Sequence, residues 1–132
     1  MTEIFDLIII GAGPAGVSAG IYAVRKGLNI LLLTKDFENQ LFRSSKIENY
    51  PGFLSVSGQE LTQKLRGHLE KFEIEIKEGE TVDQLTISSV GQFKVICESK
   101  NEYHTRALII ATGARPRTLE VPGFDKFFGK GI

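Results

Sequence analysis

One short run constrains this chain more than any other: Gly11-Ala12-Gly13-Pro14-Ala15-Gly16, set between a strand-like segment and a helix-like one. Ile4 to Ile10 is an almost continuous apolar, β-branched run, the pattern of a parallel strand buried on both faces. After the glycines, Val17, Ile21, Val24 and Leu28 fall on one helical stripe. Ala15, Ala19 and Ala23 form a second row, small enough to let that helix lie close to a sheet. Pro14 suits the first helical turn, where its missing N–H costs nothing, and Gly27 suits the C-terminal cap. Asn29 to Leu33 then reads as a second buried strand, which completes a right-handed βαβ unit.

In that context G-x-G-x-x-G is the dinucleotide-binding fingerprint; outside it, the string says little. Each glycine has its own task. Gly11 permits the tight turn, Gly13 lets a pyrophosphate approach the backbone, and Gly16 allows close packing of helix and strand. The helix N-terminus then offers unpaired N–H groups and partial positive charge. One element departs from the pattern. An acid usually closes the second strand and holds the ribose hydroxyls. Here that place is Thr34-Lys35-Asp36, where the Thr34 hydroxyl or the backbone takes the role and Lys35 lies solvated near the adenosine.

Thr34 to Ser57 is a long irregular stretch, and such loops are usually functional. Within it, Pro51-Gly52 fits the central positions of a type II turn. Ser57-Gly58-Gln59-Glu60 is a capping box, with Val56 and Leu61 as its hydrophobic staple. The helix it opens carries Leu61, Leu65, Leu69 and Phe72 on one face. Glu73 to Lys77 alternates as a third strand. Thr81–Ile87, Gln92–Glu98 and Glu102–Arg106 read as a small antiparallel meander, with turns at Ser88–Gly91 and Ser99–Asn101. Ala107 to Ala111 reads as a further buried strand ending at Thr112-Gly113. From Arg115 the periodicity fades into a Pro- and Gly-punctuated exit segment. The expected class is α/β: a Rossmann-like parallel sheet with helices, plus a three-stranded antiparallel meander packed on it.

Charge and cysteine content narrow the function classes. Lys plus Arg is 16 and Asp plus Glu is 16, so the chain lacks the basic excess of a dedicated nucleic-acid binder. A single cysteine, Cys97, forms no intrachain disulfide, and His68 and His104 give no metal-ligand spacing. Cys97 lies in a strand-like run and reads as a small buried residue, not a reactive thiol. Leu7 to Val24 bears no formal charge, but Gly11, Gly13, Gly16, Gly20 and Pro14 break it, and Glu3 and Asp6 precede it. It therefore reads as neither a membrane span nor a signal peptide. The expectation is a soluble, cytoplasmic protein without catalytic acid, base, nucleophile or metal ligand.

Three blocks in order across the chain resemble the low-molecular-weight thioredoxin reductases. They are Phe5 to Gly16, Ile47-Glu48-Asn49-Tyr50-Pro51-Gly52-Phe53, and Ala107 to Arg117. The first is shared by many flavoproteins; the second is more particular to this branch. The flavin subunits of alkyl hydroperoxide reductases are close relatives. The resemblance implies FAD, with Gly11, Ala12, Gly13, Pro14, Ala15 and Gly16 around the pyrophosphate and Thr34 and Lys35 beside the adenosine. It implies Gln40 and Asn49 near the flavin, the Thr81 backbone against the adenine, and Ala111, Thr112 and Gly113 closing over the cofactor. Asn49 also has a reading of its own. An amide next to a rigid Pro-Gly turn can pair with a polar ring edge, or merely begin the turn.

The resemblance further implies electron transfer from NADPH to a redox disulfide, a thioredoxin-like partner and a homodimer. Residues 1–114 are then the first segment of an FAD-binding domain, and 115–132 lead toward an NADPH-binding domain that these residues do not contain. The expectation is a piece of such an enzyme or a natural remnant of one. No Cys-x-x-Cys and no second glycine fingerprint is present. Where the family usually has Gly-Gly-Gln, this chain has Glu38-Asn39-Gln40, which places two side chains beside the cofactor loop. Two other readings stand beside this one: a peroxide-reductase or ferredoxin-reductase flavoenzyme, and a nucleotide-binding or interaction module without turnover.

Overall fold

The computed structural model describes residues 3–38, 40–114, 117 and 120–127. Strand β1 (Ile4–Ile10) leads through the glycine turn into helix α1 (Pro14–Val24) and strand β2 (Ile30–Thr34). Helix α2 (Gly58–Glu70), strands β3 (Glu75–Glu78), β4 (Val82–Ile87), β5 (Phe93–Cys97) and β6 (Glu102–Ile110), and the short helix α3 (Phe124–Phe127) follow. The strands form one six-stranded sheet in the order β3-β2-β1-β6-β5-β4. β1 pairs in parallel with both β2 and β6, as its continuous apolar run predicts, and β3 joins β2 in parallel. β4 and β5 complete the sheet antiparallel.

The core has two layers, one on each face of β1 and β2. On one face Leu7, Ile9 and Leu32 pack against Val17 and Ala23 of α1, Leu69 of α2 and Ile74. On the other, Ile8, Ile10, Leu31 and Leu33 lie under Val95 and Cys97 of β5. Each such buried aliphatic side chain contributes about 1.5–3 kcal/mol relative to exposure.

No helix covers that second face among the described residues; the β4–β5 hairpin does. The device is β6. The sequence pattern divides it into a meander strand and a separate buried strand, but the two are one strand. Its first half pairs with β5, from Ile96↔Glu102 to Phe93↔Thr105, and its later part with β1, from Ile4↔His104 to Ile10↔Ile110. The far end of β6 is not buried as expected: Ile109 is 37% and Ile110 64% exposed. Beyond Thr105 it has β1 on one side and no β5 partner on the other, so neither layer reaches it.

Two helical expectations are also corrected. α1 ends at Val24, so Leu28 leaves its stripe and is exposed. Gly27, at φ +75, donates its N–H to Val24 and stops the helix there. The close-packing row is Gly16, Gly20 and Ala23, not Ala15, Ala19 and Ala23. A Cβ on Gly20 would stand 3.2 Å from Leu69, and one on Gly16 only 1.9 Å from the Gly11 carbonyl oxygen. Those two contacts set the rotation of α1.

Half of the capping box forms: the Ser57 hydroxyl accepts the Glu60 N–H at 3.1 Å, whereas the Glu60 carboxylate pairs with Lys64 at 3.5 Å; the staple residues Val56 and Leu61 are buried together. The Pro51-Gly52 turn also closes as expected, with Phe53 N–H donating to the Tyr50 carbonyl and Gly52 at φ +96. In the segment read as an exit, Phe124–Phe127 forms a single helical turn with Phe124 buried.

Candidate functional site

The carboxyl ends of β1, β2 and β6 lie side by side, and ligands of open α/β sheets bind outside such ends. At the end of β1, Gly11 adopts φ +106, a left-handed conformation that side chains resist. Its N–H donates to the Leu33 carbonyl at 2.8 Å, which ties the turn to β2. A Cβ here would sit 2.3 Å from the Ala111 carbonyl oxygen. Gly11 is therefore bare because the chain leaving β6 crosses directly against it. The Ala111 N–H, donating to the Ile10 carbonyl at 2.8 Å, holds that crossing.

Gly13 differs. A Cβ added there would meet no atom within 4 Å, so its lack of a side chain answers no packing need of the described protein. It is also the N-cap of α1, with φ −74 and ψ 179, and no side chain caps the helix. No acidic residue stands in the first turn. The N-terminus of α1 thus keeps its positive dipole end without a capping side chain among the described residues. Such a side-chain-free cradle fits an anionic diphosphate.

At the exit of β2, Thr34 is buried, and its hydroxyl donates to the Asp36 carbonyl at 2.7 Å. The hydroxyl closes a turn, so this exit presents its backbone and the exposed Lys35. Gly79 N–H donates to the Lys35 carbonyl at 3.0 Å and Glu80 N–H to the Thr34 carbonyl at 3.1 Å. These bonds bring Thr81 beside the β2 exit. The glycine turn, Thr34-Lys35, Thr81 and Ala111-Thr112-Gly113 accordingly share one edge of the sheet.

Gln40 and Asn49 belong to the loop before α2, and both are exposed. Tyr50, next to Asn49, reaches α1: with Pro14, Val17, Tyr22, Leu65 and His68 it lines a cleft of about 330 Å³. Glu38 borders a second cleft, about 230 Å³, with Phe37, Thr62, Arg66 and Glu78. Of the glycine turn, Pro14 borders the first of these clefts; Gly11, Gly13 and Ala111 line neither of the two. Asn39, Arg115 and Pro116, named in the sequence blocks, lie outside the described residues.

One polar centre escaped the sequence reading. Glu80 is buried, and its carboxylate accepts from the Ser99 hydroxyl at 2.6 Å, the Asn101 amide, and the Tyr103 hydroxyl at 3.2 Å. The Ser99 and Asn101 donors hold it below the usual carboxylate range despite its burial. An acid between Gly79 and a strand has no periodic signature; the polar turn at Ser99–Asn101 was the available hint. Cys97 is fully buried, and burial, helped by the Glu80 carboxylate, pushes its thiol up to about 12. A thiol so placed is inert at neutral pH, in agreement with its structural reading. His68 stacks on Phe72 with ring centroids 5.6 Å apart, and His104 lies opposite Lys94 on β5. Among the described residues no group of three or more His, Cys, Asp or Glu could hold a metal, and no helix is long and apolar enough to cross a membrane.

Comparison with known proteins adds to this geometry. The family model described as pyridine nucleotide-disulphide oxidoreductase matches residues 5–132. The thioredoxin reductase of Bacillus subtilis (strain 168) is 37% identical over 131 residues, 98% of this chain and 40% of that protein. The "34.2 kDa protein in rubredoxin operon" of Clostridium pasteurianum is 39% identical over 128 residues, 96% of this chain and 41% of that one. Among solved structures, Lactococcus lactis thioredoxin reductase (FR conformation) superposes with a TM-score of 0.84 at 36% identity, over 93% of this chain and 40% of that one. The T. acidophilum thioredoxin reductase gives 0.83 at 35% identity, over 96% and 41%. The chain thus spans about 40% of the length of these relatives.

Proposed function

The chain belongs to the pyridine nucleotide-disulphide oxidoreductase family, and from that premise we propose that it is the FAD-binding portion of a thioredoxin reductase-like flavoenzyme. Such an enzyme passes electrons from NADPH to a redox disulfide. One observation carries the reading: α1 has no side-chain cap, and a Cβ at its N-cap Gly13 would meet no atom of the described residues within 4 Å. A turn needed only for packing would resemble Gly11 and Gly16, whose absent side chains make room for the protein itself.

In this reading Gly11 to Gly16 hold the pyrophosphate through backbone amides. Lys35 and the Thr34 backbone flank the adenosine, and the Thr81 backbone meets the adenine. Ala111, Thr112 and Gly113 close the edge, and Gln40 and Asn49 approach the flavin. FAD, when bound, supplies the electron chemistry; these residues bind and orient it. Cys97 takes no part, because its thiol is buried and stays protonated. These 132 residues contain no Cys-x-x-Cys and no second glycine fingerprint. Residues 1–114 then form the FAD-binding segment and 115–132 the path toward the NADPH-binding domain. A thioredoxin-like acceptor, a homodimer and a cytoplasmic setting complete the proposal. The names of the relatives support the thioredoxin-like acceptor.

The test is a titration with FAD and with ADP, followed by flavin absorbance and thermal melting. Both ligands should raise the melting temperature, because a ligand that binds only the native state stabilises it. A chain that retains no flavin and is stabilised by neither ligand refutes the proposal.

A further inference from the structure

Of the buried polar side chains among the described residues, Glu80 alone carries a formal charge; it is 9% exposed. Its partners are neutral donors: the Ser99 hydroxyl, the Asn101 amide and the Tyr103 hydroxyl, with the Cys97 thiol adjoining. A buried carboxylate is costly unless hydrogen-bonded, and well-packed apolar residues often replace buried charges without loss. Closing a hairpin does not require an acid. What the carboxylate does is gather Ser99 and Asn101 of the β5–β6 turn and Tyr103 of β6 around one point on the segment between β3 and β4.

That segment is fastened on its other side as well. Gly79 and Glu80 donate to the carbonyls of Lys35 and Thr34, and the Thr81 carbonyl accepts from the Glu98 N–H at 2.8 Å. Residues 79–81 thus bridge the β2 exit and the β4–β5–β6 layer. We propose that Glu80 is a positioning residue for the adenosine end of the nucleotide site. Its carboxylate anchors residues 79–81 to Ser99, Asn101 and Tyr103, and so fixes Thr81 relative to Thr34 and Lys35. The inference rests on the FAD reading above. It adds that the wall meeting the base is held by a buried charge that never touches the ligand.

The test compares ADP with inorganic pyrophosphate as probes of the whole chain, with circular dichroism as the check on folding. Glu80→Gln turns an acceptor toward which three donors point into an amide that adds a donor. ADP affinity should fall about tenfold, the scale of one lost charge-assisted bond. Pyrophosphate, which needs only the glycine turn, should bind within about twofold of wild type. The double variant E80Q/N101D exchanges amide and carboxylate across one hydrogen bond and should recover ADP affinity. Ser99→Ala removes a single donor and should cost ADP about threefold; it decides the matter if E80Q does not fold. ADP affinity unchanged in both single variants overturns the proposal. So does an equal loss of ADP and pyrophosphate, or a folded swap variant without recovery. A wild-type chain that binds neither ADP nor FAD instead refutes the underlying reading.

Discussion

Replacing Gly13 with valine separates the needs of the ligand from those of the fold. The backbone there is extended, φ −74 and ψ 179, which any residue adopts, and a Cβ meets nothing within 4 Å. Losing a glycine N-cap to an apolar residue costs about 0.5–1 kcal/mol. The reduced freedom of the unfolded chain returns about 0.4–1 kcal/mol. The unliganded variant should therefore stay within about 1 kcal/mol of wild type, a melting shift of at most about 4–5 °C. Binding should behave differently. A valine side chain at the mouth of the helix blocks two charge-assisted N–H bonds to phosphate, each worth about 1.5–3 kcal/mol. FAD affinity then falls at least about a hundredfold. At FAD one hundred times the wild-type Kd, wild type gains about 2.7 kcal/mol and the variant about 0.4 kcal/mol. Thermal melting with and without FAD, beside calorimetric titration, measures both quantities. Wild-type FAD affinity in this variant would refute the placing of the phosphates. A variant that melts many degrees lower without ligand would refute the claim that Gly13 faces open space.

Gly16→Ala should do the reverse. Its Cβ would lie 1.9 Å from the Gly11 carbonyl oxygen, so α1 must shift, at a cost of about 2–3 kcal/mol seen in urea unfolding without ligand. Stability equal to wild type would contradict this packing. Glu80 is held below the usual carboxylate range in the folded chain. Its contribution is therefore complete above that range and is lost as pH falls through the lower folded value. Urea midpoints should decline below about pH 4, and less steeply in Glu80→Gln; identical acid limbs would exclude the carboxylate as their source. Cys97, its thiol pushed up to about 12, should resist a thiol reagent at pH 8 in the folded chain and react on unfolding. Rapid labelling of the native protein would show the site to be open.

Local features of the sequence decided a good deal. The continuous run Ile4 to Ile10 required partners on both sides, and β1 has them in β2 and β6. The capping box and the Pro-Gly turn are each specified within a few residues, so no distant contact was needed to read them. The glycine turn was legible for the same reason, and so was the candidate site built on it. Phase and partnership were not local. The helical pattern offered Ala15, Ala19 and Ala23 as the close-packing row, and only the nearness of Leu69 and the Gly11 carbonyl selects Gly16 and Gly20.

The sequence by itself therefore determined where most strands lie, where α1 and α2 start, and where the glycine turn leaves the backbone bare. Those properties depend on neighbours along the chain. The tertiary structure alone decided that β6 is one strand serving two layers, that its far end stays exposed, and that Glu80 meets Ser99, Asn101 and Tyr103. These groups lie far apart in sequence and have no repeat to link them. Their association follows from burial of both faces of β1 and β2, which only the folded chain can settle.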